Sequence, residues 1–339
     1  MKLIRTEDAV GHVLCHDLTQ IIKDQYKDAR FRKGHVVTEA DIPVLLSMGK
    51  EHLYVWEMTP GMLHENDAAE RLYALCVGDH MDRSEVKEGK IELKAACDGL
   101  FLVNSQKLIA VNTVEDVMIA TRKGGTAVRK GDKLAGMRVI PLIIPEEKLQ
   151  AAERAAGNAP LLELKPWVRK TAAIVATGSE VKKGLIQDTF TPVVKDKLAA
   201  YGIETLSIAY SGDGVENVAN AVTEARKTGA DVILCTGGMS VDPDDNTPGG
   251  IKASGAKIVT YGAPVLPGAM FLLGYYEDGT PVMGLPGCVM YAGATIFDLI
   301  LPFVAADVPV KRQQIVALGE GGLCLGCKPC HWPDCPFGK

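Results

Sequence analysis

The second half of the chain alternates short apolar runs with segments that repeat apolar residues every three or four positions. Continuous apolar runs are typical of strands buried in a parallel sheet, and the longer period is typical of helices. Strands are predicted at 172–176, 203–209, 230–235, 256–261 and 281–285, and helices near 189–201, 215–228 and 287–303. This alternation predicts a doubly wound, mostly parallel, three-layer α/β domain over residues 166–310.

The first 160 residues have a mixed pattern that predicts α+β structure. Short strands are expected at 53–56, 91–93, 99–103, 108–111 and 139–144. Helices are expected at 39–48, with Thr38 as the cap, and at 67–77, 115–121 and 146–156. We expect a small α+β segment at 1–60, an α+β region at 61–160 and a separate tail at 319–339.

Composition narrows the function classes. With 339 residues of which 47% are apolar, the chain can bury a large core and form more than one domain. The net charge is −5 and the cations are scattered, so we expect no nucleic-acid or membrane surface. The longest apolar stretch, 288–306, contains Gly293, Asp298 and Pro302 and predicts a buried helix. No signal-peptide pattern is visible at the start, and unpaired cysteines suit a reducing compartment, so we expect a cytoplasmic protein.

The loop after the predicted strand at 230–235 is the most informative segment. Gly237 and Gly238 allow close backbone approach, and their N–H groups can hold an anion. Asp242, Asp244 and Asp245 follow, and carboxylates can hold a metal ion or exchange a proton. An acidic surface turn is the alternative interpretation.

A second loop of the same kind follows the strand at 172–176. It reads Thr177-Gly178-Ser179-Glu180 and continues to Asp188. In a parallel sheet both loops leave from the carboxyl edge, so their hydroxyls, glycine N–H groups and carboxylates are expected to converge into one ligand site.

These motifs resemble the molybdopterin-binding domain shared by the molybdopterin adenylyltransferases and the molybdenum insertases. The resemblance covers residues 171–305. Thr177-Gly178-Ser179-Glu180-Val181 and Gly237-Gly238-Met239-Ser240-Val241 look like the two insertase loops, and Leu285-Pro286-Gly287 looks like the loop that opens the last helix. Asp245-Asn246-Thr247-Pro248 resembles the Asp-x-Thr-Pro of the adenylyltransferases. The segments 88–93, 98–100 and 138–142 resemble such proteins more loosely.

The chain departs from the insertase pattern at two loops. Cys288 replaces the polar residue of Leu-Pro-Gly-Asn-Pro, and Ala269 replaces the cation of Pro-Gly-Lys. The long insertase amino-terminal domains and a carboxy-terminal barrel have no counterpart in the sequence pattern. These departures weaken the expectation of full insertase activity.

The resemblance implies a pterin ligand with a terminal phosphate, and it assigns roles to individual residues. Glycine N–H groups and serine hydroxyls would bind the phosphate. Asp245 is the predicted catalytic or Mg²⁺-positioning carboxylate, with a helix N-cap as its alternative. Lys182 and Lys183 could attract the phosphate, and Asp213 is expected to be a turn or cap residue. The predicted ligand-binding residues are Thr177, Gly178, Ser179, Glu180, Asp188, Gly237, Gly238, Ser240, Asp242, Thr247, Pro286 and Gly287.

The last residues carry a Cys-x2-Cys-x2-Cys-x4-Cys-Pro run formed by Cys324, Cys327, Cys330 and Cys335. Four thiolates can bind zinc, and the ferredoxin-type cluster motif differs only by one residue fewer before its last cysteine. Zinc, an iron–sulfur cluster and a reduced tail without metal all remain open. Glycines at 319, 321 and 322 predict a hinge before the tail.

Two functions from different classes follow. The first is a molybdopterin-binding transferase of molybdenum-cofactor biosynthesis that acts by adenylyl transfer or molybdenum insertion. The second is a non-catalytic cofactor carrier or a redox or metal sensor. The resemblance also implies a homo-oligomer, either dimer or trimer, and a molybdoenzyme as a candidate partner. An unrelated nucleotide-binding domain is a weaker third reading.

Overall fold

A computed structural model describes residues 2–22, 26–55, 60–243 and 245–339. Trp56, in a predicted strand, and Asp244, in the acidic loop, lie outside these described residues. The chain divides into two compact units, one of 1–96, 103–124 and 130–163 and the other of 97–102, 125–129 and 164–339. Within the described ranges, no helix has the length and apolar character that a membrane crossing requires. The domain boundaries expected from the sequence stay predictions.

The first part of the chain is α+β, as expected. Its helices are α1 (Asp41–Ser47), α2 (Glu65–Cys76), α3 (Ser105–Asn112) and α4 (Glu146–Ala156), and a 3₁₀ helix covers Thr6–Asp8. Its strands are β1 (Lys2–Arg5), β2 (Leu18–Ile22), β3 (Tyr26–Phe31), β4 (His52–Val55), β5 (Met62–His64), β6 (Met81–Arg83), β7 (Ile91–Ala95), β8 (Gly99–Val103), β9 (Val117–Thr121), β10 (Thr126–Val128), β11 (Lys133–Val139), β12 (Ile143–Pro145) and β13 (Leu162–Pro166). The largest sheet of the first unit has the order β6-β7-β11-β9.

Three predicted elements of this part are wrong. The strand expected at 139–144 is interrupted, because β11 ends at Val139 and β12 begins at Ile143. The strand expected at 108–111 lies in helix α3, where the side chain of Asn104 accepts a hydrogen bond from the Lys107 N–H over 3.2 Å. A short apolar run is compatible with either a strand or a helix. The Asn104 cap favours the helix here. The helix expected at 115–121 is strand β9, which pairs antiparallel with β11 from Val117 to Thr121.

Thr38 does not cap α1 as predicted. Helix α1 begins at Asp41 after Ala40, without a side-chain cap. The Thr38 hydroxyl instead donates to the Asp41 carboxylate over 2.7 Å. Hydrogen bonds from His35 and Thr38 lower the pKa of Asp41, although burial acts in the opposite direction.

The second unit contains the predicted doubly wound α/β domain. Its strands are β14 (Thr171–Thr177), β15 (Glu204–Ser211), β16 (Val232–Thr236), β17 (Lys257–Tyr261), β18 (Leu272–Tyr275) and β19 (Pro281–Leu285). Its helices are α5 (Ser179–Lys182), α6 (Phe190–Ala199), α7 (Val215–Lys227), α8 (Thr247–Ala253), α9 (Ile296–Ala305) and α10 (Arg312–Ala317).

One six-stranded sheet with the order β15-β14-β16-β19-β18-β17 forms the middle layer of this domain. Strands β15, β14, β16 and β19 are parallel, whereas β18 is antiparallel to both of its neighbours. Successive residues of β14 face opposite sides, so Ile174 packs on the α6 and α9 side and Val175 on the α7 side. The mostly parallel, three-layer prediction is confirmed, and β18 is a strand that the sequence analysis did not predict.

The single helix predicted at 287–303 is wrong in extent. A 3₁₀ helix covers Gly287–Met290, and α9 begins only at Ile296. Thr295 starts the second helix, because its hydroxyl accepts from the Phe297 N–H over 3.2 Å and Asp298 accepts from the Thr295 N–H over 2.8 Å.

Asp298 also forms a nearly buried ion pair with Lys197 of α6, at 2.5 Å between Nζ and Oδ1. We expect Asp298→Ala to lower the free energy of unfolding by about 3 kcal/mol, because it removes a helix cap and leaves the Lys197 ammonium without its partner. The urea midpoint measures this effect. Glu224→Ala, which breaks the exposed Lys227–Glu224 pair, is the control and should leave the midpoint unchanged. Equal midpoints for wild type and Asp298→Ala would contradict the assignment.

Candidate ligand-binding site

The carboxyl ends of four parallel strands meet at one edge of the sheet. Thr177 of β14 pairs with Ser211 of β15, and Ala176 pairs with Thr236 of β16. Thr236 in turn pairs with Leu285 of β19. The loops after these strands therefore leave from the same edge, which confirms the expected convergence of the two glycine-containing loops.

Gly237 and Gly238 let the β16 loop lie directly against the end of β14. Both have positive φ, +84° and +56°. A Cβ on Gly237 would lie 2.4 Å from the Thr177 carbonyl oxygen, and one on Gly238 would lie 2.7 Å from Thr247 Oγ1. Both contacts are shorter than real Cβ atoms allow, so a side chain at Gly237 would push the loop away from β14 and one at Gly238 would displace Thr247.

Two buried threonines join the loops. The Thr177 hydroxyl donates to the Thr236 carbonyl over 3.0 Å and lies 2.8 Å from the Thr247 hydroxyl. Thr177 is 7% exposed and Thr247 is 1% exposed, and Pro286 is also buried. These side chains position the loops, and their predicted ligand contacts stay predictions.

Asp245 closes the β16 loop. Its Oδ2 accepts the Ser240 N–H over 2.8 Å, and its own N–H donates to the Asp242 carbonyl over 2.9 Å. Helix α8 begins at Thr247, and its N-cap residue is Asn246. The alternative role of Asp245 as a helix N-cap is therefore wrong. Asp245 Oδ1 forms no hydrogen bond among the described residues and remains available to a ligand or ion.

Tyr261, at the end of β17, supports this loop and was not predicted. Its hydroxyl donates to the Met239 carbonyl over 3.0 Å. Burial raises the pKa of Tyr261, and the negative charge of Asp245 acts in the same direction. Tyr261 lies on a separate strand, far along the chain from the loop, and no local pattern could indicate the contact.

The first loop is fixed by Asp213, which follows β15. The Ser179 N–H donates to Asp213 Oδ2 over 3.3 Å, and the Asp213 N–H donates to Ser179 Oγ over 3.4 Å. Asp213 lies in a bend, as one of its two expected roles requires, but it is not a helix cap, because Gly178 and Gly214 are the N-caps of α5 and α7. The Lys182 side chain lies over Gly212, since a Cβ there would be 3.6 Å from Lys182 Cδ and 3.9 Å from Nζ. A cation therefore lies beside Ser179.

Asp188 has one satisfied and one unsatisfied carboxylate oxygen. Its Oδ1 accepts the N–H groups of Phe190 and Thr191 over 3.0 and 2.9 Å at the start of α6. Its Oδ2 and the Thr191 hydroxyl are buried without a hydrogen-bond partner among the described residues. Buried polar atoms almost always have a partner, so this position has the chemistry of a contact to a polar ligand edge or to water.

The remaining predicted ligand residues lie in the same loops. Glu180 and Asp242 are exposed, and Glu180 Oε2 would lie 3.4 Å from a Cβ on Gly178, so its carboxylate folds back over that glycine. Gly287 is exposed at the start of its 3₁₀ helix.

The tail cysteines Cys324, Cys327, Cys330 and Cys335 are all free thiols. Among the described residues, no group of three or more cysteines, histidines and carboxylates is arranged to hold a metal ion. A metal site at the tail stays a prediction.

The chain matches two family models. Residues 173–306 match a probable molybdopterin binding domain, and residues 3–57 match a domain of unknown function. A CinA-like protein of Desulfosudis oleivorans is 40% identical over 86 residues, which is 25% of this chain and 21% of that protein. A probable FAD synthase of Caenorhabditis briggsae is 34% identical over 82 residues, 24% of this chain and 16% of that protein. The chain thus spans about a fifth of these relatives.

Among solved structures, the molybdopterin biosynthesis Mog protein of Mycobacterium ulcerans matches with a TM-score of 0.33 and 19% identity. The match covers 40% of this chain and 94% of that protein. The family match coincides with the α/β domain whose loops form the site described above, and it includes all the predicted ligand-binding residues. The chain therefore carries, at residues 173–306, a domain of the probable molybdopterin-binding family.

Proposed function

We propose that this protein binds molybdopterin or its adenylate at the carboxyl edge of the six-stranded sheet, across the loops 177–188 and 237–248, and acts on the phosphate end of that ligand. The reaction would be adenylyl transfer or molybdenum insertion in the biosynthesis of the molybdenum cofactor. The observation that carries the proposal is the convergence at one sheet edge of two glycine-containing loops, each stiffened by an aspartate.

The loops offer separate groups to the two ends of such a ligand. Lys182 beside Ser179 supplies a cation and a hydroxyl for a phosphate. The unpaired Oδ2 of Asp188 and the Thr191 hydroxyl supply an acceptor and a donor for the ring edge of a pterin. Lys182 and Asp188 both lie in the segment between β14 and α6. A ligand that carries both a phosphate and a polar planar ring would contact both sets of groups.

Asp245 is the residue that we assign to the chemistry. The Ser240 N–H holds one of its oxygens, which fixes the carboxylate in the loop and leaves the other oxygen for an ion or a water molecule. Mg²⁺, when bound, would neutralise charge on a phosphoanhydride, and Asp245 and Asp242 are the carboxylates of this loop that could hold it. The carboxylate of Asp245 could equally orient and deprotonate an attacking water.

A second candidate is a non-catalytic carrier that holds the finished cofactor. The observations that favour it are Ala269, where insertases have a cation, and Cys288, where they have a polar residue. Burial raises the pKa of the Cys288 thiol, as does the nearby charge of Asp298, so the thiol stays neutral near pH 7. A site that lacks this cation would stabilise less negative charge in the transition state and would bind a ligand without promoting transfer.

The first prediction of the proposed function concerns Asp245. We expect Asp245→Asn to keep an acceptor for the Ser240 N–H but to lower turnover of molybdopterin or its adenylate at least about 100-fold, because the charge is lost. Ligand affinity from isothermal titration should change much less. Asp245→Ala, which also loses the loop hydrogen bond, should weaken both. Undiminished turnover in Asp245→Asn would remove the carboxylate from the mechanism.

The second prediction separates two adjacent cations. Lys182→Ala should weaken the binding of molybdopterin about fivefold at low salt, and the difference should shrink as ionic strength rises. Lys183→Ala is the matched control and should bind like wild type, because only Lys182 is placed over Gly212 beside Ser179. Titrations at two salt concentrations measure both. Equal losses in the two variants would show a general charge effect instead of a placed cation.

A third prediction distinguishes the enzyme from the carrier. With Mg²⁺, the transferase should release AMP from saturating adenylated ligand, or pyrophosphate from ATP when molybdopterin is the substrate, in many turnovers. A carrier should retain intact ligand at one equivalent per chain. Chromatography of the nucleotide products measures this directly, and binding without any release of product would favour the carrier.

A further inference from the structure

The proposed pterin site does not use the four cysteines of the carboxy-terminal tail. Cys324 and Cys335 are partly buried, whereas Cys327 and Cys330 are exposed. All four lie within one short segment with the spacing of thiolate metal sites. Because they are free thiols, each could become a ligand after losing its proton.

The structure anchors the amino-terminal end of this segment. The Cys324 N–H donates to the Leu266 carbonyl over 2.8 Å, and the Leu266 N–H donates to the Gly322 carbonyl over 2.8 Å. The hinge predicted at 319–322 is therefore wrong. A Cβ on Gly322 would lie 2.3 Å from the Leu318 carbonyl oxygen, so this glycine allows tight packing and is not part of a free linker.

The other end of the segment is anchored as well. Phe337 is 2% exposed in the main core of the α/β domain, and the Trp332 ring meets it edge-on with centroids 5.7 Å apart. A Cβ on Gly338 would lie 2.4 Å from Leu299 Cδ2, so the chain presses against α9 there. The four cysteines thus lie on a loop that is closed at both ends by the domain.

A loop closed in this way reduces the entropy that metal binding must remove, since the domain already holds the ends near each other. The two partly buried cysteines lie at the ends of the loop and the two exposed cysteines lie between them. Cys330 lies against Gly293, where a Cβ would be 2.6 Å from its Sγ, so this part of the loop rests on the segment between β19 and α9.

We propose that Cys324, Cys327, Cys330 and Cys335 form a four-thiolate centre for a soft metal, supplied either as Zn²⁺ or as an iron–sulfur cluster. Both sources share tetrahedral thiolate ligation, and binding displaces the thiol protons to solvent. Since no described group of three such residues is arranged for a metal, the exposed part of the loop must draw together when the metal binds. The anchored ends stay in place.

The test compares three forms of the full chain, purified without oxygen. Wild type should contain about one equivalent of zinc per chain, or iron with matching sulfide. Cys327→Ser/Cys330→Ser should contain at least tenfold less, and it should fold normally because both side chains are exposed. Cys97→Ser, a cysteine outside the tail, is the control and should match wild type.

Metal analysis together with the absorption spectrum separates the two sources. Charge-transfer bands after Co²⁺ replacement identify a zinc site, and a broad visible spectrum with acid-labile sulfide identifies a cluster. Either result supports the four-thiolate centre if the double variant loses it. Metal at the wild-type level in the double variant, or no binding by wild type supplied with Zn²⁺ and with iron and sulfide, would overturn the proposal. Neither readout depends on pterin binding.

A second readout follows from the required movement. The rate at which Cys327 and Cys330 react with a thiol reagent should fall at least tenfold when the metal binds, because thiolate ligands are no longer free nucleophiles. Cys97 should react at an unchanged rate, and peptide mapping assigns each rate to its residue. Equal rates with and without bound metal would place that metal elsewhere in the protein.

Discussion

The candidate site depends on one close contact between the ends of two neighbouring strands. The Thr177 hydroxyl bridges the Thr236 carbonyl and the Thr247 hydroxyl in a buried position. A buried hydroxyl with satisfied partners stabilises a single arrangement, whereas an unsatisfied one would be costly. The Gly237–Gly238 pair makes this contact possible, since a side chain at either position would collide with a threonine.

The polar residues of the loops therefore fall into two groups. The hydrogen bonds of Thr177, Thr247 and Asp213 hold the loops together. These residues therefore contribute to function by positioning the loops. Among the described residues, Asp245 and Asp188 each retain a carboxylate oxygen without a hydrogen-bond partner, and the Lys182 side chain lies beside Ser179. Groups of this second kind are the ones that a ligand can recruit, because binding then adds hydrogen bonds without breaking internal ones.

The sequence predicted the α/β domain well because its central strands β14, β16 and β19 are buried on both faces. A continuous apolar run such as the one in Thr171–Thr177 leaves few alternatives in a chain of this length. Strand β18 was missed because its four residues follow a loop and run antiparallel, so they interrupt the regular alternation. In the first part of the chain, β9 is held by its pairing with β11, and no local pattern reports that pairing.

The site was predictable in its backbone and less so in its contacts. Glycines and hydroxyls after apolar strands indicated the two loops and their common edge. Asp245 accepts a hydrogen bond from the Ser240 N–H, and the Ser179 N–H donates to Asp213. Tyr261 contacts the β16 loop from a third strand. Such contacts depend on how loops turn after leaving the sheet, and the identity of one residue does not determine that turn. These contacts are therefore visible in the structure but not in the spacing of apolar residues along the sequence.

The cysteines differ in burial, and this difference changes their chemistry. Burial raises the pKa of Cys76 and of Cys235 to about 12, so these thiols stay protonated near pH 7 and pack as small apolar side chains. The same effect raises the pKa of Cys15 to about 11. The tail cysteines are at least partly exposed, so a metal ion or a thiol reagent can reach their sulfur atoms. Of the six cysteines that are not buried, four therefore lie near the end of the chain, on a loop that the α/β domain holds in place.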